Sequence, residues 1–493
     1  MNASFKRSPI NRLTADLLCV FVHQDPALFT KEISALSRKL GIKISPAEAG
    51  DFKGKEGETV FAYLHKGTRI QRVCVVGLGE KKNLTQEKYR RAAAAAAKQA
   101  RAVKANHVAL FLPSLNGKPA EAVFAFTEGA MLALYRFDKY ITRNNETRST
   151  PEEILIATDS AALAKAGNDA VQQAQIVCEA TSLARDLANT PGLELYPETL
   201  AEAALQSANR SGFTATILDE RAIQDLGMGG VVGVSQGSRR PPRFIIMEYG
   251  KSTDKTVVLV GKGVTFDTGG ISIKPAAGMA EMKMDMCGAA AVIGTFEAVA
   301  RLRLPVHIVG LVPAVENMPG GNSIRPGDIL RHYNGMTSEV DNTDAEGRLI
   351  LADALAYAER YKPSAVIDLA TLTGACVVAL GHYATGMMGN STGLMEKLTA
   401  AGEKSYERVW PLPLFDEYEK LIKSDVADVK NVGGRWAGAI TAGWFLKKFI
   451  GDYPWVHLDI AGTAILEEAG PYTQRGGSGV GVRLLTEFLR KWK

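Results

Sequence analysis

Cysteine is scarce in this sequence, with five residues in a chain of 493, and no two of them have C-x-x-C spacing. An odd and scattered set argues against a disulfide framework and predicts reduced thiols in a core. Long apolar runs are also missing, so we predict no membrane-spanning segment. The first apolar run, residues 17–22, is too short for the core of a signal peptide. We therefore expect a cytoplasmic protein without a membrane partner.

The net charge of +5 conceals an uneven distribution of the two signs. Residues 1–150 hold 25 Lys and Arg against 13 Asp and Glu, a net charge of +12, whereas the remainder holds 33 against 40, a net charge of −7. The basic part fits a solvated face, a partner surface for the acidic part, or a nucleic-acid-binding surface. No DNA-binding motif accompanies it, so nucleic acid is an alternative that we do not favour.

Alternating strand and helix patterns predict an α/β fold with two domains. We expect a smaller N-terminal α/β domain in residues 1–160, a linker helix and turn in 161–192, and a larger catalytic domain in 193–493 with a mostly parallel, helix-covered sheet. One unbroken helix is predicted over residues 161–189. The predicted strands are 17–23, 59–64, 72–77, 107–112 and 153–157 in the first domain, and 214–218, 243–249, 256–260, 305–313, 364–369 and 455–460 in the second.

Charge is concentrated in one stretch of nine residues. Its sequence is Asp341-Asn342-Thr343-Asp344-Ala345-Glu346-Gly347-Arg348-Leu349. On an extended backbone, Asp344, Glu346 and Arg348 share one side. We therefore predict a loop at the end of a strand, with Gly347 letting a backbone pass close by, and then a helix over 349–360. Carboxylates that face one point need a cation between them, and one arginine cannot neutralise both, so we predict a metal ion.

Three further polar stretches follow predicted strands, where open α/β sheets bind ligands. The first contains Lys262, Asp267 and Lys274, and the others are residues 371–375 and 461–464. Asp285 lies between them in an alternating segment that sets it opposite three methionines. Each residue also has an ordinary interpretation: Asp267 as a turn residue, Asp285 as a helix cap, and the lysines as solvated side chains.

Histidine is absent from all of these loops, although the chain has seven. This absence disfavours a structural zinc site and a Ser-His-Asp hydrolase. A site of mainly oxygen ligands suits zinc, manganese, cobalt or magnesium.

Taken together, these motifs resemble the leucyl aminopeptidase (cytosol aminopeptidase) family of dinuclear metallopeptidases. Residues 342–349 match the family signature, and the spacing of Lys262, Asp267 and Lys274, the Asp285 segment and residues 368–375 match as well. The resemblance extends roughly from residue 189 to the C-terminus, and the first domain matches loosely.

The resemblance implies two divalent ions per subunit, manganese or zinc, with cobalt or magnesium as alternatives. By it, Asp267 and Glu346 bridge the ions, Asp344 completes one metal site, and Lys262 and Asp285 complete the other. It further implies that Lys274 stabilises the oxyanion and that Arg348 holds a bicarbonate ion acting as general base.

The implied function is a metal-dependent aminopeptidase that releases leucine and other apolar residues from peptide N-termini, by attack of a metal-bridging hydroxide on the first peptide bond. Candidates for substrate binding are Met282, Thr371, Leu372, Gly374, Ala461 and Ala464. The family assembles as a hexamer, so we expect a homohexamer. A phosphatase using the same metals is the alternative hydrolase, with Lys274 and Arg348 available for a second negative charge.

Overall fold

The computed structural model describes residues 1–40, 52–63, 69–113, 118–143, 150–252 and 255–492. Two structural units divide the chain. The first comprises Met1–Glu179 with Glu468–Gln474, and the second comprises Ala180–Glu467 with Arg475–Lys493. Their boundary lies inside the segment that sequence analysis assigned to a linker.

A largely parallel sheet forms the centre of the first unit. Within the described residues its strands are β1 (Asn2–Arg7), β2 (Ala15–Val22), β3 (Thr59–Tyr63), β4 (Ile70–Gly77), β5 (His107–Phe111) and β6 (Glu153–Thr158). They lie in the order β1-β6-β5-β2-β4-β3, and all neighbours are parallel except β3 and β4. The five predicted strands are confirmed to within two residues, although Leu64, which ends one of them, lies outside the described residues. We missed β1, whose sequence is mostly polar and which, among the described strands, pairs only with β6.

The helices of the first unit are α1 (Pro26–Leu40), α2 (Gln86–Ala102), α3 (Pro119–Leu134), α4 (Ala161–Ala164) and α5 (Gly167–Asn189), the last of which continues into the second unit. The prediction of one helix over 161–189 was wrong, because the chain breaks between α4 and α5. Gly167 and Asn168 are poor helix formers. The ring of Phe5 also packs against Gly167, where a Cβ atom would stand 2.2 Å from it.

The strands described in the second unit are β7 (Thr214–Leu218), β8 (Arg243–Tyr249), β9 (Val257–Gly261), β10 (Gly263–Asp267), β11 (Ile308–Asn317), β12 (Ile329–Arg331), β13 (Thr337–Glu339), β14 (Ala365–Ala370), β15 (Thr385–Gly389), β16 (Val409–Pro411), β17 (Val429–Lys430), β18 (Trp455–Asp459), β19 (Ile465–Leu466) and β20 (Gly476–Gly477). The main sheet has the order β16-β15-β18-β14-β9-β11-β8-β7, with β10 paired to β11. Its centre, β18-β14-β9-β11, is parallel, and β15, β8 and β7 add antiparallel pairings towards the edges. The predicted mostly parallel sheet is confirmed.

Helices cover both faces of this sheet. Those of the second unit are α6 (Pro197–Ser211), α7 (Glu220–Asp225), α8 (Gly229–Ser235), α9 (Cys287–Arg301), α10 (Gly347–Ala358), α11 (Gly374–Leu380), α12 (Thr392–Ser405), α13 (Gly438–Lys447), α14 (Ala461–Ala464) and α15 (Val482–Arg490). Val257 and Leu259 of β9 join the core formed with α6, α9, α12 and α15, while Val258 and Val260 join the core formed with α8, α10 and α13. A strand buried on both faces is therefore apolar throughout.

The carboxyl ends of β9, β14 and β18 adjoin at one edge of the sheet, because these strands are parallel neighbours. The loops that follow them carry Lys262, residues 371–375 and Ala461 to the same place. The charged stretch arrives differently, since β13 belongs to a small sheet of order β12-β13-β17. In the part of the chain that is described, no helix has the length and apolar character needed to span a membrane.

Candidate metal centre

Lys262 stands between β9 and β10 and is surrounded by acceptors. Its Nζ lies 2.7 Å from Asp285 Oδ2 and 2.9 Å from Glu346 Oε1, and it donates a hydrogen bond to the Thr371 carbonyl at 3.0 Å. Its aliphatic stem passes Gly347, where a Cβ atom would stand 2.4 Å from Lys262 Cε. Gly347 therefore admits a lysine side chain, and not the backbone that we predicted.

Asp267 ends β10 and uses its two oxygens for different partners. Oδ1 accepts hydrogen bonds from Gly269 N at 2.9 Å and from Asn317 Nδ2 at 2.8 Å. Oδ2 lies 2.7 Å from Lys274 Nζ, which also pairs with Asp344. Asp267 is thus a turn residue through one oxygen and a member of the charged cluster through the other.

Asp285 follows a 3₁₀ helix, Met279–Met284, where an extended segment was predicted. Its Oδ1 accepts hydrogen bonds from Thr371 Oγ1 at 2.7 Å and from Lys262 Nζ at 2.8 Å. Helix α9 has Met286 as its N-cap residue and no side-chain cap. The interpretation of Asp285 as a helix cap was therefore wrong.

The stretch with Asp344 and Glu346 is a turn that leads directly into α10. Because this helix begins at Gly347, Arg348 lies in its first turn. Our prediction that Arg348 extends the line of the two carboxylates along an extended backbone was wrong. The three side chains are brought together by the turn and the helix start.

Buried carboxylates determine the protonation of this cluster. Burial lowers the pKa of Lys262, but Asp285, Glu346 and Asp267 outweigh it, so the pKa is raised above its ordinary value. The pKa of Lys274 is likewise raised, by Asp267 and Glu346 against the effect of burial. Burial raises the pKa values of Asp285 and Glu346, and neighbouring carboxylates add to the rise. The site therefore favours the binding of positive charge.

The residues of this cluster fit a divalent cation. Asp267, Asp344 and Glu346 each offer an oxygen atom, and these atoms lie within 4.8 Å of one another. Among the described residues, Glu346 Oε2 is buried without a hydrogen-bond partner. Such an oxygen is costly unless a cation satisfies it. Lys262 could join as a ligand only after losing its proton, since an ammonium group has no lone pair.

Arg348 is buried and lines the cavity beside the cluster. Its Nη1 donates a hydrogen bond to the Asn431 carbonyl at 2.5 Å, and its Nε has no partner in the described part of the chain. Burial lowers the pKa of Arg348 to about 10, while Glu346 and Asp459 oppose the decrease. The guanidinium therefore stays charged at neutral pH, and its unpaired N–H suits a small anion.

A cavity of about 710 Å³ opens at the cluster. Five of the six predicted substrate-binding residues line it, namely Met282, Thr371, Leu372, Gly374 and Ala461. Ala464 does not line it and is fully buried in the hydrophobic core. The short helix α14 explains the difference, because its first residue faces the cavity and its last faces the core.

Asn317, Asn431 and Asp459 are buried polar residues that support these loops and that sequence analysis did not single out. Asp459 Oδ2 accepts a hydrogen bond from Thr373 Oγ1 at 2.6 Å, and its Oδ1 accepts one from Leu372 N at 3.3 Å. Its position at the end of β18 was a usable signal. The two asparagines carry none, because asparagine is common in ordinary turns.

The chain matches a known protein family along most of its length. The profile described as "Cytosol aminopeptidase family, catalytic domain" matches residues 182–486, and "Cytosol aminopeptidase family, N-terminal domain" matches residues 19–144. A probable cytosol aminopeptidase of Geotalea uraniireducens is 49% identical over 425 residues, 86% of each chain. One from Syntrophotalea carbinolica is 47% identical over 495 residues, 98% of each chain.

Solved structures agree with the sequence matches. The bottromycin maturation enzyme BotP in complex with Mn is 35% identical, with a TM-score of 0.85 over 97% of this chain and 99% of that one. A mutant of tomato leucine aminopeptidase is 32% identical, with a TM-score of 0.87 over 100% of this chain and 96% of the other.

Proposed function

The chain belongs to the cytosol aminopeptidase family and is a metal-dependent aminopeptidase, and we propose that it uses two divalent ions per subunit to release leucine and other apolar residues from peptide N-termini. In this proposal Asp267 and Glu346 would supply carboxylates to both ions, and Asp344 would supply one to a single ion. Lys262, once neutral, and Asp285 would hold the other ion. Manganese or zinc is the expected metal, with cobalt or magnesium as alternatives.

The observation that carries this proposal is the convergence of carboxylate oxygens from Asp267, Asp344 and Glu346. In addition, Glu346 Oε2 is buried without a hydrogen-bond partner among the described residues. Bound divalent ions would polarise the substrate carbonyl and lower the pKa of the attacking water. They would also lower the pKa of Lys262, which must be neutral to coordinate a metal.

Lys274 and Arg348 have roles that do not require metal coordination. Lys274 Nζ pairs with Asp267 and Asp344, and cations bound by those carboxylates would free it for the developing oxyanion. Arg348 is charged, and its Nε has no partner among the described residues, which supports a role in holding a bicarbonate ion as general base.

The lining of the cavity supports a preference for apolar side chains. Met282 and Ala461 offer apolar surface, and the Leu372 carbonyl and Gly374 amide are backbone groups suited to aligning an extended substrate. Ala464, which lies in the core, is proposed to act through the packing of α14 and not by contact.

We further propose a cytoplasmic homohexamer. Large apolar side chains of the second unit stay exposed in the single chain, including Val378 (90%), Tyr383 (80%) and Trp436 (74%). Surface of this kind favours burial in an assembly. Light scattering coupled to size exclusion should give six times the mass of the chain, and a monomer would contradict the assembly.

DNA binding by the basic first unit is less well supported. Lys88 and Arg91 of α2 pair with Glu56, and Arg90 is buried against Glu128. Lys98 Nζ donates a hydrogen bond to the Gly470 carbonyl at 2.9 Å. These charges are engaged within the unit, so a gel-shift titration at physiological salt should show no complex. A complex whose affinity falls linearly with log salt would favour the alternative.

The test of the main proposal compares one peptide with a free and an acetylated N-terminus. A free α-amine can coordinate a metal and so place the first peptide bond in the site. Such positioning can lower the activation free energy by several kcal/mol. Mass spectrometry should show stepwise release of single residues from the free peptide and none from the acetylated one. Internal cleavage, or equal rates, would contradict it. A phosphomonoester assayed in parallel tests the phosphatase alternative and should not be hydrolysed.

A further inference from the structure

Asn431 is a fully buried asparagine whose entire side-chain hydrogen-bonding capacity is used by one loop. Its Oδ1 accepts hydrogen bonds from Asp341 N at 2.8 Å and Asn342 N at 3.2 Å. Its Nδ2 donates to the Asn342 carbonyl at 2.7 Å and the Ala345 carbonyl at 3.3 Å. An amide has two acceptor sites and two donor hydrogens, so all four are satisfied.

The backbone of Asn431 reaches the site by a second route. Its amide donates to the Glu339 carbonyl at 2.9 Å, which fixes Asn431 against β13, and its carbonyl accepts the hydrogen bond from Arg348 Nη1. Val432, the next residue, lines the cavity. Asn431 therefore binds the loop that contains Asp344 and also binds the guanidinium of Arg348. It directly precedes a residue of the cavity wall.

We propose that Asn431 is a positioning residue that holds Asp344 in place for metal binding and orients Arg348 at the cavity. This inference rests on the proposed function of the cluster. Asp344 is less buried than the other carboxylates of the cluster, with 32% of its side chain exposed, and its carboxylate pairs with Lys274. Its placement therefore depends on the backbone on either side of it, which Asn431 holds at residues 342 and 345.

The opposite side of the loop is tied separately. Thr343 Oγ1 donates to the Gly269 carbonyl at 2.6 Å, and Thr343 N donates to Ser272 Oγ at 3.2 Å. The loop thus stays attached when Asn431 is changed, and a variant should move Asp344 without releasing the whole stretch. The loop of residues 371–374 is held by Asp459, so substrate alignment should change little.

The informative substitution is Asn431→Asp, which keeps the size of the side chain and removes both Nδ2 donors. A carboxylate oxygen would then face the carbonyl oxygens of Asn342 and Ala345, and both acceptors would lose their partner. Asn390→Asp is the control, because it makes the same chemical change at an exposed asparagine that also uses its side-chain amide to bind backbone. Asn390 Nδ2 donates to the Tyr453 carbonyl at 3.0 Å and its Oδ1 accepts from Trp455 N at 2.7 Å, at the end of β18 remote from the cavity.

The experiment titrates Mn²⁺ into metal-stripped full-length protein by calorimetry, with thermal unfolding recorded for each variant. Loss of a group that supports a ligand typically weakens metal binding by about 10- to 100-fold, and we expect this for Asn431→Asp. At saturating Mn²⁺ the KM for leucine amide should stay within about twofold, because the substrate loop is untouched. Asn390→Asp should leave Mn²⁺ affinity unchanged.

Wild-type Mn²⁺ affinity in folded Asn431→Asp would overturn this inference and leave the proposed function intact. A wild-type protein that binds no Mn²⁺ would overturn the metal site and this inference with it. If Asn431→Asp is not folded by circular dichroism, Asn431→Ser decides in its place, because its hydroxyl introduces no charge. In that case, wild-type Mn²⁺ affinity together with an unchanged KM in Asn431→Ser would overturn the inference.

Discussion

The two units both contain a largely parallel sheet with helices, and each holds a cluster of buried charged side chains, but the two clusters differ in how fully their groups are paired. In the first unit, Arg90 is buried against Glu128 and Glu87, and Glu87 also accepts a hydrogen bond from Tyr472 Oη at 2.9 Å. In the second unit, Glu346 is as deeply buried but keeps one oxygen without a partner in the described residues. Full pairing offsets the cost of burying a charge, whereas a buried charge that is left partly unpaired can serve as a site for a ligand.

Removal of bound metal should show the difference between the two charged clusters most clearly. A chelator is expected to abolish peptidase activity completely, because the carboxylate cluster of the second unit has no substitute for its cations. Manganese or cobalt should restore activity. The predicted ligands include no thiolate or imidazole, so we expect the bound metal ion to exchange readily. Activity assays with each ion added back to stripped protein measure this. Full activity in metal-free protein would remove the distinction between the two clusters.

Breaking the paired cluster should affect stability and not chemistry. Glu128→Ala leaves the Arg90 guanidinium without its closest partner in a buried position, which should cost about 3 kcal/mol of unfolding free energy. Denaturant unfolding measures the loss, and kcat per folded molecule should equal that of the wild type. A fall in kcat at unchanged stability would show that the first unit contributes to catalysis.

Lys274→Ala tests the converse in the second unit. The substitution should lower kcat by about 10²-fold or more through lost oxyanion stabilisation, with both metals retained. Removing this ammonium from Asp267 and Asp344 leaves two carboxylates for cations to satisfy. Metal analysis alongside steady-state kinetics distinguishes the outcomes. If the variant lost its metals, Lys274 would have to be reassigned as structural support for the site.

The smallest expected effect is a pH dependence of stability that arises from a buried pair in the second unit. This pair is His457 and Asp368. Burial lowers the pKa of His457, but Asp368 at 2.6 Å outweighs it and the pKa is raised. A raised histidine pKa contributes stability below the ordinary value of about 6.5 and loses it as pH rises through the folded-state pKa. The unfolding free energy of metal-loaded protein should therefore fall over this range. Asp368→Asn should flatten the profile, and an unchanged profile would contradict the pairing.

Much of the candidate site could be predicted because its residues follow strands. The apolar pattern of β9, β14 and β18 located the strand ends, and the parallel order brought Lys262 and residues 371–375 together as expected. The route of Asp344 could not be predicted, because β13 pairs in a separate small sheet through long-range contacts. The role of Asn431 was equally hidden, since it contacts residues about 90 positions away.

The sequence by itself determined the α/β class, the central strands and the identity of the charged residues. Strand periodicity and the spacing of acids and lysines are local properties, and they survive without knowledge of the fold. The tertiary structure decided which oxygen of Asp267 forms the turn, that Gly347 makes room for Lys262, and that Ala464 enters the core. The space for Lys262 and the burial of Ala464 depend on contacts between segments far apart in the chain, and the choice of oxygen in Asp267 depends also on distant Asn317, which binds the same oxygen. Chain order specifies none of these contacts.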